Sequence, residues 1–439
     1  MKRSSPTLSL FVVALSLIVF FPFSQARAQD ASPYKTSRPR RVGPVPQTQE
    51  SARQTLSGQQ QPAQSRAGQP ADKNPSRVLA PSLPTAEATV DEAKSSQLNA
   101  SVIQLRIAEA QRLLKSRPAP TALSSKSTDF VTIAALDQST SYVHLVTLSK
   151  ETFLTKGAEI TLTSSLGTLL KIHVLRANGV NTAVSIFDPQ GRSLTPLVVQ
   201  FPIEKGGLFR EMAYYTSVHP ALLSTDLVRS GQSYVHNMLD LANKRLHERG
   251  VSISPDIVDV AERLCIVEHI DHDRFRLENR LSLFDEIYSL YALNELDTYR
   301  YSVSVAGAGG MVQMIPWAYN LERQRHPGVG LVPDFVIGMR NHGNALQAML
   351  LYMQDTWNDL AANDDVKRAL NTKLATTAEL LAAGYNSNAA RLPLYLRRGG
   401  DEWKTLIPRE TQTYLQIYKT FQGLVPLKSH TVVAEQSGN

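Results

Sequence analysis

The spacing of the apolar residues changes once along this chain, and that change predicts two folded regions of different class. Between Asp129 and about Phe201 the sequence contains short runs rich in valine, isoleucine and threonine. These runs are FVTIAAL, YVHLVTL, AEITLT, TLLKIHVL, TAVSIFD and LTPLVVQF. Asp188-Pro-Gln-Gly is a turn signal between the last two. The pattern predicts a small antiparallel β-sandwich or barrel over residues 127–205.

From Ser217 onward, apolar residues recur at helical spacing. The apolar spacing over Leu227–Gly250 predicts a long amphipathic helix that ends at a glycine. Ser254 followed by proline predicts the start of the next helix, because serine caps helices and proline suits the first turn. Further helices are predicted at 281–294, 344–360, 376–383 and 410–424. The fold class is therefore α+β multidomain, with an all-α region over 217–426 and a flexible tail at 427–439.

The N-terminal segment Met1–Ala28 has the pattern of a secretory signal. It begins with two basic residues, continues with the apolar run Leu8–Phe23 and ends with Ala26-Arg27-Ala28. The apolar run is short for a membrane anchor, which is the alternative. The sequence thus predicts export to the periplasm, the cell wall or the extracellular space.

Residues 29–126 are rich in glutamine, serine and proline, and carry 14 Lys and Arg against 7 Asp and Glu. Such a composition predicts a disordered basic leader, with one possible helix at 89–116. The remainder, 127–439, is slightly acidic. The leader could contact anionic wall polymers or lipid head groups, whereas export argues against nucleic acid. Cys265 is the only cysteine, which excludes an internal disulfide and predicts a buried, inert thiol.

A glycine-rich stretch, VAGAGGMVQMIP, occupies residues 305–316. Its glycines permit a close approach of the backbone to a ligand. Glu295 ends an apolar helix twelve residues before Gly307. A carboxylate half-buried there, at the edge of a cleft, would suit a general acid for glycoside cleavage. Gln313 could then bind a sugar amide or hydroxyl.

This region resembles the lytic transglycosylase domain of the soluble lytic transglycosylase family, which has a lysozyme-like α fold. The family pattern E-S-x-x-N-P, then S-x-x-G-A-x-G-L-M-Q-x-x-P, is matched by Glu295, Ser304, Gly307, Ala308, Gly310, Gln313 and Pro316. A second block, A-A-Y-N-x-G, is matched at 383–387, and a third, P-x-E-T-x-x-Y, at 408–414. The departures from the pattern are Leu296, Tyr299-Arg300, Val312 and Gly384.

The resemblance implies that Glu295 is a single catalytic acid/base. It would protonate the glycosidic oxygen between N-acetylmuramic acid and N-acetylglucosamine, and then accept the proton of the sugar's 6-hydroxyl to leave a 1,6-anhydromuramyl end. The implied substrate-binding or supporting residues are Ser304, Gly310, Gln313, Tyr385, Asn386 and Glu410. The implied partner is the peptidoglycan glycan strand, with no metal or cofactor. The leader or the β domain could attach the enzyme to a wall- or membrane-associated protein.

Several alternatives remain open. Glu268 also follows an apolar run and is the rival for the catalytic acid. The run from Glu268 to Asp273 contains possible metal ligands, but their order does not match H-E-x-x-H. The protein could also be a peptidoglycan-binding scaffold with little turnover. A hydrolytic muramidase on the same fold is disfavoured, since no second acidic residue occupies a motif position to activate water.

Overall fold

The computed structural model describes residues 99–117, 128–304 and 306–431. The predictions of a signal peptide and of a disordered leader before residue 99 lie outside these residues, as does the tail beyond 431. Within the described ranges, no helix has the length and apolar character needed to cross a membrane.

One antiparallel sheet of seven strands accounts for the β region of the described residues. The strands are β1 (Phe130–Leu136), β2 (Val143–Ser149), β3 (Glu159–Thr163), β4 (Leu169–Arg176), β5 (Ala183–Phe187), β6 (Ser193–Lys205) and β7 (Leu208–Tyr215). Their order is β2-β1-β6-β5-β4-β3, and β7 pairs with β6. The amide of Ser165, in the β3–β4 turn, donates to the carbonyl of Leu145 in β2 at 2.8 Å. The sheet therefore curls into a nearly closed barrel.

Strand β7 extends the β region beyond residue 205, where the sequence analysis ended it. Long strand β6 pairs in turn with β5, β1 and β7. Gly206 and Gly207, both with positive φ, form the turn between β6 and β7. This two-glycine turn is a hairpin signal. The two adjacent charged residues Arg210 and Glu211 hid the strand, because they interrupt its apolar alternation.

Fourteen α-helices lie in the described residues. They are α1 (Ala100–Lys115), α2 (Lys150–Phe153), α3 (Thr225–His247), α4 (Pro255–Val267), α5 (His272–Leu277), α6 (Arg280–Asn294), α7 (Pro316–Arg325), α8 (Phe335–Arg340), α9 (His342–Ala362), α10 (Asp364–Asn371), α11 (Thr377–Asn386), α12 (Leu392–Gly399), α13 (Trp403–Leu406) and α14 (Arg409–Leu424). The predicted helices correspond to α3, α4, α6, α9, α11 and α14. The short helices between them were not predicted.

Helix α1, which lies within the stretch 89–116 where one helix is predicted, docks on the barrel. Its buried face is formed by Ile103, Ile107, Ala110 and Leu114. These side chains share one apolar cluster with residues of β1, β2 and β6. Arg117, just after the helix, donates from Nη1 to Thr132 Oγ1 at 2.7 Å. This part of the leader therefore belongs to the folded β region.

Helix α6 joins the barrel to the helical core. Leu290 of α6 packs in the apolar cluster of the barrel. At the end of the helix, the Asn294 side chain accepts from the amide of Thr216 at 2.8 Å and donates to its carbonyl at 2.9 Å. On the opposite face, Gly231 of α3 lies so close that a Cβ there would meet the Tyr288 carbonyl oxygen at 1.9 Å. The barrel and the helices thus pack directly against one another through α6.

The C-terminal segment 425–431 is anchored, although the sequence analysis assigned 427–439 to a flexible tail. The fully buried ring of His430 contacts Asp240 Oδ1 through Nδ1 at 2.6 Å and Glu262 Oε2 through Nε2 at 2.8 Å. Its amide donates to Asp259 Oδ1 at 2.8 Å, and its ring stacks on that of His236. A single buried histidine leaves no periodic signal, and so the sequence did not reveal this anchor.

We expect His430 to stabilise the fold most at acidic pH. Burial alone would lower the pKa of His430, but hydrogen bonds and charges from Glu262 and Asp240 outweigh it and raise the pKa above its ordinary 6.5. The stabilisation is then complete below about pH 6.5 and is lost as pH rises through the folded-state pKa. Urea titrations should show wild type about 1.5 kcal/mol more stable than His430→Gln at low pH, with a smaller gap at alkaline pH. A gap that is constant with pH would contradict this.

Candidate functional site

A cleft of about 190 Å³ lies between the barrel and the helical region. Its barrel side consists of residues 176–181, which are the end of β4 and the start of the β4–β5 connection, together with Tyr215. Its helical side is formed by the segment after α4, by α5 and α6, and by residues of the loop that runs from Tyr299 to Gln313. The barrel therefore contributes a wall of the site, a role for which its sequence shows no catalytic motif.

Glu268 is a buried carboxylate that lines this cleft. It caps the C-terminus of α4 and is only 1% exposed. The hydroxyl of Tyr414, on the buried face of α14, donates to Glu268 Oε1 at 2.8 Å. These two residues are 146 positions apart in sequence, so their contact depends on the packing of α14 against α4. The Glu268 carboxyl is thus held in a defined orientation at a site that borders a cavity.

Gln313 reaches the same cleft from the glycine-rich loop. Isolated bridges join Val303 to Gly309 and Gly309 to Met314, which fold the loop back on itself. Gln313 Nε2 donates to the carbonyl of Gly310 at 2.8 Å and to Ser302 Oγ at 3.3 Å. The backbone of Gln313 has a φ of 47°, which is unusual for a residue with a side chain. Such strain persists where the surrounding structure imposes it, and it is often found at binding sites.

His269, the residue after Glu268, contacts two residues of the loop that borders the cleft. The Nε2 of His269 donates to the carbonyl of Met311, in the glycine-rich loop, at 2.8 Å. The His269 ring stacks on Tyr299, whose backbone also has a positive φ of 56°. Both rings line the cleft. The histidine therefore connects the end of α4 with two separate parts of the loop.

Tyr385 and Asn386 lie behind the cleft and not on its surface. The Tyr385 hydroxyl donates to the carbonyl of Val312 at 2.7 Å, in a buried contact. Asn386 Oδ1 accepts from Thr411 Oγ1 at 2.9 Å, also in the interior. Neither residue lines the cleft. The resemblance implies that Tyr385 lines the cleft and orients a sugar acetamido group, and that Asn386 buttresses the site. The buried contacts of both residues place them in a supporting position.

The other three expected binding residues, Ser304, Gly310 and Glu410, also lie outside the cleft lining. Ser304 Oγ accepts from the amide of Ala308 at 3.0 Å and so closes a turn of the loop. Gly310 is buried, with its amide on the Ser302 carbonyl at 3.1 Å. Glu410 lies in the first turn of α14, where a negative charge is favourable to the helix dipole.

Glu295 does not lie in the cleft, contrary to the expectation of a half-buried carboxylate at its edge. Its side chain is exposed, and it does not line the cavity. The reason is the anchoring of Asn294 on Thr216, after which the chain turns through a φ of 46° at Glu295 into a short 3-10 turn. This turn directs residues 295–297 into solvent.

Two more acidic side chains line the cleft beside Glu268. Glu286 of α6 is paired with Arg274 of α5, at 2.8 Å from Nη1. Asp271 caps α5 by accepting from the amides of Asp273 and Arg274, both at 2.9 Å. Among the described residues, neither of the clusters with metal-binding geometry includes the run from Glu268 to Asp273.

Cys265 lies one turn before Glu268 on α4 and is fully buried. Burial raises the pKa of its thiol well above the ordinary value. The prediction of a buried thiol is therefore confirmed, and the raised pKa makes a thiolate nucleophile unfavourable here.

Comparison with protein-family models, with curated proteins and with solved structures finds no match to this chain. The chemistry of the site therefore has to be argued from its own geometry. A buried carboxyl, oriented by a tyrosine hydroxyl and facing a cavity with an amide side chain, is suited to proton transfer on a polar substrate.

Proposed function

We propose that this protein is a peptidoglycan lytic transglycosylase on a lysozyme-like α fold, with Glu268 as its acid/base. The observation that carries the proposal is that the three sequence blocks resembling the soluble lytic transglycosylases meet at one place. Tyr385 of the second block holds the backbone of the first block at Val312. Asn386 of the second block accepts from Thr411 of the third block at 2.9 Å. Tyr414 of the third block also donates to Glu268, which lies outside the three blocks.

Glu268 takes the place that the sequence analysis gave to Glu295. Both glutamates follow an apolar helix, although only Glu295 matches the family pattern by its spacing. Of the two, Glu268 lines the cleft and contacts the third block. If Glu268 is the acid/base, the twelve-residue spacing between Glu295 and Gly307 has no catalytic meaning. The chain between Glu268 and the glycine-rich loop contains α5 and α6, so Glu268 does not have this spacing.

In the proposed reaction, the Glu268 carboxyl protonates the glycosidic oxygen and the bond from that oxygen to C1 of the muramyl residue breaks. The substrate's acetamido group stabilises the cation at C1. The 6-hydroxyl oxygen then bonds to C1, and its proton returns to Glu268, so that no water is consumed. Tyr414 fixes the orientation of the carboxyl throughout. Gln313 donates through Nε2 to the loop, which leaves its amide oxygen to accept from the sugar's acetamido N–H.

The barrel side of the cleft controls access in this proposal. Glu268 is almost fully buried, and a volume of about 190 Å³ is below the ~300 Å³ at which ligand pockets usually start. A glycan strand therefore reaches Glu268 only if residues 176–181, at the end of β4 and the start of the β4–β5 connection, move outward. The barrel would act as a gate in addition to holding the enzyme at the wall.

The narrow cleft is also the observation that favours a second candidate function, a peptidoglycan-binding scaffold with little turnover. A hydrolytic muramidase is the third. Asp271 and Glu286 line the same cleft as Glu268 and are the residues that would activate water in a hydrolase. Their engagement in the α5 cap and in the Arg274 ion pair argues against that role.

The products released from purified peptidoglycan discriminate among these functions. The full-length protein would be incubated with the polymer, and the soluble fragments weighed by mass spectrometry. Fragments that end in 1,6-anhydromuramic acid would support the lytic reaction, and fragments heavier by one water would identify a hydrolase. If the protein sediments with the polymer and releases nothing, it is a binding protein.

A further inference from the structure

A second cluster of polar side chains lies between α7 and α9, and none of its members lines the cleft. Glu322 and His326 are four residues apart at the end of α7, and Asp355 faces them from α9. His326 Nε2 lies 3.0 Å from Asp355 Oδ2 and 3.7 Å from Glu322 Oε2. The three ligand-type atoms all lie within 4.8 Å of one another. A nitrogen and two carboxylate oxygens therefore converge on one point.

Glu322 is the feature that ordinary packing does not explain. Its side chain is 0% exposed, and neither carboxylate oxygen has a hydrogen-bond partner. An ionised carboxylate buried in this way costs several kcal/mol unless a cation compensates it. The nearby cation of Arg325 contacts Asp355 Oδ2 at 3.3 Å and not Glu322.

The separations within the cluster fit a small divalent cation. A tetrahedral Zn²⁺ with bonds of about 2.0–2.2 Å holds its ligand atoms roughly 3.3 Å apart. The observed separations of 3.0 and 3.7 Å lie on either side of this value. Imidazole nitrogen and carboxylate oxygen are both ordinary ligands of Zn²⁺. The side chains of His326 and Asp355 are about one-fifth exposed, which gives an ion and a fourth, water ligand access from solvent.

We propose that Glu322, His326 and Asp355 bind a Zn²⁺ ion that fixes the end of α7 to α9. The ion would supply the positive charge that the buried Glu322 lacks. Its role is structural, since the three ligands lie outside the cleft lining. Helix α7 begins at Pro316, directly after the glycine-rich loop, so the ion would also limit the movement of that loop's C-terminal end. The alternative arrangement is a protonated Glu322 that donates to Asp355, with no metal.

Zinc titration of the full-length protein, after removal of metals by a chelator, tests the proposal. The readouts are the number of Zn²⁺ ions bound against a competing coloured chelator and the thermal midpoint of unfolding. We expect one equivalent to bind and the midpoint to rise. Glu322→Gln and His326→Gln should each lower the affinity by about 100-fold or more. Glutamine at position 322 can still donate a hydrogen bond to Asp355, so Glu322→Gln is expected to fold. His326 is partly exposed, so His326→Gln is a second variant that is expected to fold.

His236→Asn is the matched control, because the other cluster with metal-type geometry consists of His236, Asp240 and His430. In that cluster both nitrogens of His430 already contact carboxylates. The control variant should still bind one equivalent with unchanged affinity. The proposal is overturned if wild type binds no zinc, if Glu322→Gln binds as tightly as wild type, or if His236→Asn abolishes binding. The first outcome would favour the protonated Glu322.

Discussion

Replacing Glu268 by glutamine should lower the rate of peptidoglycan cleavage by about 10³-fold. Glutamine keeps the size of the side chain, and its amide oxygen can still accept from the Tyr414 hydroxyl. The variant loses only the proton that must pass to the glycosidic oxygen and back from the 6-hydroxyl. Release of anhydromuramyl fragments per unit time, measured at saturating peptidoglycan, is the appropriate quantity.

Glu295→Gln is the matched control for this loss. The Glu295 side chain is exposed and outside the cleft, so this substitution should leave the cleavage rate within about twofold of wild type. Sedimentation with peptidoglycan should be retained by both variants. If Glu295→Gln is inactive while Glu268→Gln cleaves normally, the acid/base assignment made from the cleft is wrong and the one made from sequence spacing is right.

The two glutamates show what a local pattern can and cannot reveal. Each ends an apolar helix, and so each satisfies the requirement for a carboxylate at the rim of a helical core. The spacing to the glycine-rich loop favoured Glu295, because spacing is all that one sequence offers. The contact that separates them joins Glu268 to Tyr414 across 146 positions. Such a contact depends on how α4 and α14 pack, which neither segment encodes alone.

The fold was predicted best where the apolar period was clean. Strand β1 has the limits Phe130–Leu136, which are those of the run FVTIAAL. Strand β7 was missed because arginine and glutamate interrupt its alternation at Arg210 and Glu211. Glu211 forms an ion pair between the barrel and the helical region, in which Arg340 Nη1 lies 2.8 Å from Glu211 Oε1. A charged residue that interrupts the apolar alternation can thus belong to a strand that contacts another region of the protein, and need not indicate a loop.

The change in apolar spacing predicts a barrel and a helical region that act as separate functional parts. The cleft contradicts that division, since Arg176 and Tyr215 of the barrel lie on one side of it and Glu268 on the other. The lining residues of a site shared by two regions are divided between them, and the residues that the barrel contributes resemble no motif by themselves. Residues 176–181 could have been identified only from the way in which α6 holds the barrel against the helices.

The glycine-rich loop gives the second large prediction, which concerns Gly310. Its φ of 67° is unfavourable for any residue with a side chain, and a Cβ would lie 2.3 Å from the Met339 carbonyl oxygen. Met339 lies in helix α8, so a side chain at position 310 would force the glycine-rich loop and α8 to move apart. We expect Gly310→Ala to reduce the free energy of unfolding by about 3 kcal/mol, combining the left-handed backbone cost with overpacking.

Gly307→Ala separates these two contributions. Gly307 has a similar φ of 77°, but the nearest atoms to a Cβ there belong to Pro316 at 3.9 Å. This variant should lose only about 1 kcal/mol, the backbone part of the cost. Both values would come from urea unfolding monitored by circular dichroism. Because Gly310 also accepts the Gln313 side-chain amide, Gly310→Ala should further slow cleavage at temperatures where it remains folded, while Gly307→Ala should not. Equal stability losses in the two variants would mean that the loop does not pack on α8 as described.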